Sequence, residues 1–91
     1  MDTKILKKAI EKFGVRNQIN KIQEEALELA LVLNQRNCSQ KDSKEMEDKL
    51  YDELADMKIM MAQAEILFDA DRINARVEYK LKRFEEKHLT P

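Results

Sequence analysis

Apolar residues recur three and four positions apart along nearly the whole chain, and strict alternation is absent, which is the period of amphipathic helix rather than strand. Four helices are predicted. The first spans about residues 3–13 on Ile5, Leu6, Ala9, Ile10 and Phe13, and Gly14, the single glycine, stops it. The second runs from near Arg16 to near Gln35, with Ile19, Ile22, Ala26, Leu29, Ala30 and Leu33 on one face. The stretch NQRNCSQKDS then reads as a polar loop. Asp42 or Ser43 is the expected N-cap of the third helix, with Glu45 in reach of a capping box behind Asp42. That helix extends from Lys44 to about Phe68 on a stripe of Met46, Leu50, Leu54, Met57, Met61, Ala64 and Phe68. DADR is a turn, with Asp69 or Asp71 capping a fourth helix that carries Ile73, Val77, Leu81 and Phe84 to roughly Lys87.

Helices this long with connections this short predict an all-α fold, an antiparallel bundle of about four helices. Two of them are apolar on more than one side. Leu27 and Leu31 point away from Ile22 and Leu29, and Ile59 and Ile66 lie opposite the main stripe of the third helix. A helix apolar on two sides has neighbours on two sides, and in so short a chain a second copy is the expected neighbour.

Composition narrows the class without changing it. The 91 residues fit one domain, 1–91, too small for two cores. With 17 basic and 18 acidic residues there is no bulk field to attract a nucleic acid polymer or an anionic membrane. The lone Cys38 forms no intrachain disulfide and fits a reducing compartment. No signal-peptide core and no 18-residue apolar run is present, so a cytoplasmic location without membrane spanning is expected.

The acids carry the chemistry. Within the apolar run QEEALELAL, Glu25 and Glu28 are three apart and Glu24 is one turn from Glu28. Glu53 and Asp56 occupy, relative to Leu50, the positions that Glu25 and Glu28 occupy relative to Ile22. The register of 28 residues continues through Leu29 with Met57, Val32 with Met60 and Leu33 with Met61. Two antiparallel helices would bring these flanks into one pocket of four or five carboxylates, a repulsive arrangement unless a cation neutralises it. Mg²⁺, with Mn²⁺ as an alternative, suits such an all-oxygen site. His88 and Cys38 are too far apart in sequence to suggest zinc. On the fourth helix Arg76, Lys80, Arg83 and Lys87 follow at spacings of four, three and four, a basic edge able to hold polyphosphate opposite the acids. Gln18, early in the second helix on the Glu25 flank, is in position to reach a substrate held there.

The two-part motif Glu-Glu-x-x-Glu at 24–28 and Glu-x-x-Asp at 53–56 resembles that of the all-α nucleoside triphosphate pyrophosphohydrolases of the MazG type. The surrounding text, GVRNQINKIQEEALELA, KLYDELADMKIMMAQAEILF and VEYKLKRFEEK, is similar to small MazG-like proteins of phages and bacteria over about residues 14–87. The resemblance implies Mg²⁺-dependent hydrolysis of a (deoxy)nucleoside triphosphate to monophosphate and pyrophosphate, in a homodimer or homotetramer. It makes Glu25, Glu28, Glu53 and Asp56 metal ligands and Glu24 a further ligand or the base that orients water. Lys80 and Arg83 would contact the phosphates. A related activity on phosphoribosyl-ATP differs in substrate only. The competing reading is a non-catalytic helical module whose acids are a solvated face and whose basic edge is salt-bridged on its own helix.

Overall fold

The computed structural model describes residues 1–39 and 43–91, with residues 38 and 39 described in backbone only. Four α-helices follow one another: α1 (Thr3–Phe13), α2 (Val15–Ser39), α3 (Lys44–Leu67) and α4 (Ala70–Phe84), the last continued by a π-helical segment (Glu85–Leu89). There is no strand among the described residues, so the class is all-α as the periodicity predicts.

Local chemistry sets the boundaries. Asp2 caps α1 by accepting from the Lys4 N–H at 2.9 Å, Ser43 caps α3 from the Met46 N–H at 3.1 Å, and Asp69 caps α4 from the Arg72 N–H at 3.2 Å. Of the two expected cap pairs the serine and the earlier aspartate therefore serve, and Asp42 lies outside the described residues. Gly14 alone separates α1 from α2. It adopts φ 88° and ψ 156°, its N–H donates to Ile10 O at 2.8 Å, and Asn17 Nδ2 turns back to donate to Phe13 O at 2.7 Å. The polar stretch after Gln35 is not loop throughout: α2 continues to Ser39. Between Gly14 and Pro91 the chain contains neither glycine nor proline, and polarity alone does not break a helix.

α2 and α3 form the principal pairing, with α1 laid against both. Contacts run Gln18 to Gln63 and Glu25 to Glu53 and Asp56, so one helix descends as the other rises, and the pair is antiparallel. The covered positions of α2 are Gln18, Ile22, Glu25, Leu29 and Val32. Those of α3 include Met46, Leu50, Glu53, Met57, Met60, Ala64 and Leu67. Both runs step alternately by four and three, a coiled-coil-like seam. This corrects the stripes expected from apolar residues alone. Ile19 and Leu33 on α2, Leu54 and Met61 on α3, and Phe68 just past its end are exposed, and places facing the partner helix are taken in part by Gln18, Glu25 and Glu53.

α4 stands apart. It touches only α3 and the π-helical segment among the described residues and buries none of its side chains. The stripe of Val77, Leu81 and Phe84 that periodicity assigns to a bundle interior is therefore exposed.

Candidate functional site

The α2–α3 seam brings carboxylates together at mid-length. One oxygen each from Glu25, Glu53 and Asp56 lies within 4.8 Å of the others. Glu25 is 6% exposed, and Glu53 and Asp56 are partly covered. Glu25 Oε2 and Glu53 Oε2 are buried with no hydrogen-bond partner. An unpaired buried oxygen costs free energy, on the order of 1–3 kcal/mol where neutral and more where charged, and native structures seldom leave one unanswered. Both of them belong to members of the carboxylate cluster. All three donors are hard oxygens, a set that suits Mg²⁺ or Mn²⁺ over zinc.

Glu53 is pushed above its ordinary carboxyl value of 4.5, first by desolvation, then by the charges of Glu28, Glu25 and Asp56 and by hydrogen bonding to Glu28. On the other side of the cluster Lys21 reaches Glu25 Oε1 at 3.2 Å and Glu24 Oε2 at 3.7 Å. Bonding and attraction to Glu25 hold its ammonium above the ordinary 10.5. Lys21 thus answers one Glu25 oxygen and leaves the other open.

The 28-residue repeat explains why the acids converge. When two antiparallel helices carry the same pattern, a contact between i on the first and j on the second has a counterpart between j−28 and i+28. Glu25 facing Glu53 is its own counterpart, and Glu25 with Asp56 is matched by Glu28 with Glu53. The cluster therefore straddles a local pseudo-two-fold axis. The symmetry is broken by covering: Asp56 is partly buried whereas Glu28 is exposed at the rim, outside the 4.8 Å group. Glu24 is exposed and tied to Lys21.

Two turns along α2 from Glu25 the seam opens into a cavity of about 500 Å³ between α1, α2 and α3. Leu6, Phe13, Ile59 and Met60 supply apolar wall, and Asn17, Gln18 and Gln63 supply amides. Lys21, the residue bridging Glu24 and Glu25, lines it too. Gln63 Nε2 donates to Gln18 Oε1 in a buried hydrogen bond, and Gln63 is the most buried large side chain described. An apolar cleft of a few hundred Å³ with a few fixed polar groups is the usual form of a small-molecule site. Gln18, expected near a substrate, is in this cavity. Gln63, Asn17 and Lys21 were not among the expected site residues. Gln63 signals itself in the sequence only as an amide at helical spacing among Met60, Ala64 and Leu67.

The basic edge is not assembled with the acids. α4 makes no contact with α2, and neither ion pair of the described residues involves Arg76, Lys80, Arg83 or Lys87. Arg76 packs its guanidinium 4.7 Å from the Tyr79 ring centre. Lys80 and Arg83 share a shallow concavity with Phe84, Lys87 and His88, whose ring lies 4.9 Å from that of Phe84. No helix of the described residues is long and apolar enough to cross a membrane.

No protein-family model, curated protein or solved structure matches the chain.

Proposed function

We propose that this chain is a divalent-cation-dependent nucleotide pyrophosphohydrolase, acting on a (deoxy)nucleoside triphosphate as a homo-oligomer. The observation that carries the reading is the convergence of Glu25, Glu53 and Asp56 within 4.8 Å, with two buried carboxylate oxygens unanswered. The adjoining cavity is of a size to take a nucleobase, with the Gln18–Gln63 amide pair offering donor and acceptor capacity to its edge and Phe13 an aromatic face.

Glu25, Glu53 and Asp56 would hold Mg²⁺, with Glu28 joining from the rim. A bound ion of this kind neutralises phosphate charge and acidifies water. The chain's own residues do the rest. Lys21 fixes Glu25 and keeps Glu24 beside it. Glu24, exposed and next to the cluster, accepts the proton of the water whose oxygen attacks the α-phosphorus. The bond from that phosphorus to the oxygen bridging the α- and β-phosphates breaks, and pyrophosphate leaves with the bridging oxygen. Cations such as Lys80 and Arg83 would stabilise the charge that builds on the phosphates.

The test is pyrophosphate release from a panel of common ribo- and deoxyribonucleoside triphosphates with Mg²⁺ or Mn²⁺, alongside Glu53→Gln. Substituting partners one shell out from a metal commonly costs 10–100-fold, so loss of a ligand should lower activity by more than about 100-fold. No turnover above the Glu53→Gln background, together with no effect of Mg²⁺ on the melting temperature, would leave the non-catalytic helical module.

A further inference from the structure

The cations of α4 form no ion pair with the acids of α2 and α3 among the described residues. Glu25 and Glu28 are on α2, which α4 does not touch, and the charges that raise Glu53, on α3, are those of Glu28, Glu25 and Asp56. α4 nevertheless carries Arg72, Arg76, Lys80, Lys82 and Arg83 with no ion pair of its own among the described residues. Its apolar row is equally unanswered: Val77, Leu81 and Phe84 are exposed, as is Phe68 at its base.

The size of the uncovered surface says what covers it. The protomer exposes 7755 Å². A folded monomer of 10.8 kDa should expose about 5,500 Å². The excess, roughly 2,200 Å², is within the range that one partner contributes to an obligate homodimer interface. The Cα radius of gyration is 16.5 Å, against about 12 Å for a compact chain of this length. The outline, 42 × 41 × 21 Å, is a flat, open shape. Leu27, Leu31, Tyr51 and Leu54 give α2 and α3 an outer apolar surface on which a second helix can seat.

We infer that the acidic centre is completed in trans: α4 of a second copy of this chain packs its Val77–Leu81–Phe84 row on the α2–α3 pair and brings that copy's Lys80 and Arg83 to the rim of Glu28, Glu53 and Asp56. The role of those cations as phosphate contacts rests on the hydrolase reading; the exchange of α4 does not. In a two-fold dimer the contact is reciprocal, so each copy gives its α4 and receives one. Negative rim meets positive edge, which fixes the partner's orientation as well as its identity.

Two arms test this. In the first, Glu53→Gln and the double variant Lys80→Ala/Arg83→Ala, each inactive alone, are unfolded, mixed in equal amounts and refolded together. Exchange in trans gives mixed dimers with one intact site in two, so activity returns to about one quarter of wild type by random pairing. A mixture of Glu53→Gln with Asp56→Asn stays inactive. No recovery in the first mixture, with wild type active, overturns the inference and leaves the hydrolase reading standing. The second arm needs no turnover. Asp52→Cys and Lys80→Cys, each in a Cys38→Ser background, are refolded together and treated with a short bismaleimide. A cross-linked peptide pair joining position 52 of one chain to position 80 of the other is expected. Sedimentation as a monomer at micromolar concentration, or formation of the 52–80 link only within one chain of the double-cysteine protein, overturns the inference. A link between chains with no turnover on any nucleotide retains the exchange and drops the hydrolase.

Discussion

Glu53 sits where the seam spacing would ordinarily place a leucine, and that substitution of acid for hydrocarbon has a thermodynamic sign. Its folded-state value is raised above 4.5, chiefly by desolvation and then by three neighbouring carboxylates. The folded chain therefore binds this proton more tightly than the unfolded chain. The contribution of Glu53 is most favourable below the ordinary carboxyl value, and stability is lost as pH rises from there through the raised value. Thermal unfolding in chelator should accordingly show the wild type losing ground to Glu53→Gln as pH goes from 4 to 8, with the variant melting higher at neutral pH. Adding Mg²⁺ should raise the wild-type melting temperature by mass action and leave the variant unmoved. Parallel pH profiles for the two proteins would sink this account of the site. The identities of Glu25, Glu53 and Asp56 were legible in the sequence because a repeat of 28 residues places equal acids on equal faces. Lys21 was not, since a lysine four residues from a glutamate on a helix is ordinary; only its two distances, 3.2 and 3.7 Å, distinguish it.

At the scale of helices, the limits of reading were set by what was counted. The existence and order of α1 to α4 follow from spacing and caps, and three of the four starts sit on an oxygen-bearing cap. The inner faces of α2 and α3 were drawn through apolar residues only, so they rotated toward Ile19, Leu54 and Met61 and missed that Gln18, Glu25 and Glu53 complete the alternation of four and three. Polar residues in a seam give no hydrophobic signal, yet they are what makes the seam a site. The Gln18–Gln63 bond is the part of this that can be measured as a coupling between helices. Gln63→Leu should leave Gln18 buried without its partner and cost roughly 1–3 kcal/mol in urea unfolding, whereas Gln18→Leu/Gln63→Leu should recover most of it. A double variant no more stable than the single one would show that the amides do not hold the helices as a pair.

For the whole molecule, the sequence predicts helices apolar on two sides, and the single chain leaves many of those residues exposed. Leu6, Val32 and Ala64 are the buried apolar residues described, beside the buried Gln18, Glu25 and Gln63. The periodicity of α4 gave its apolar row but not its place: it contacts only α3 and the π-helical segment among the described residues. One joint decides how the remainder hangs together. α1 walls the cavity of about 500 Å³ because Gly14 turns the chain through φ 88° and ψ 156° with no residue to spare on either side. That backbone region is closed to nearly everything but glycine, and nothing lies within 4 Å of where a Cβ would stand. The obstacle to a side chain there is consequently handedness and not space. Gly14→Ala should cost roughly 1–3 kcal/mol of stability. A D-alanine installed at the same position by chemical synthesis should instead stabilise by about 0.4–1 kcal/mol, since its mirror-image preference matches the turn and it restricts the unfolded chain. Equal melting of the two diastereomers would mean that the joint yields. Unequal melting in the stated order would make the junction of α1 and α2 a matter of chirality, adjustable by one methyl group without touching the walls of the cavity.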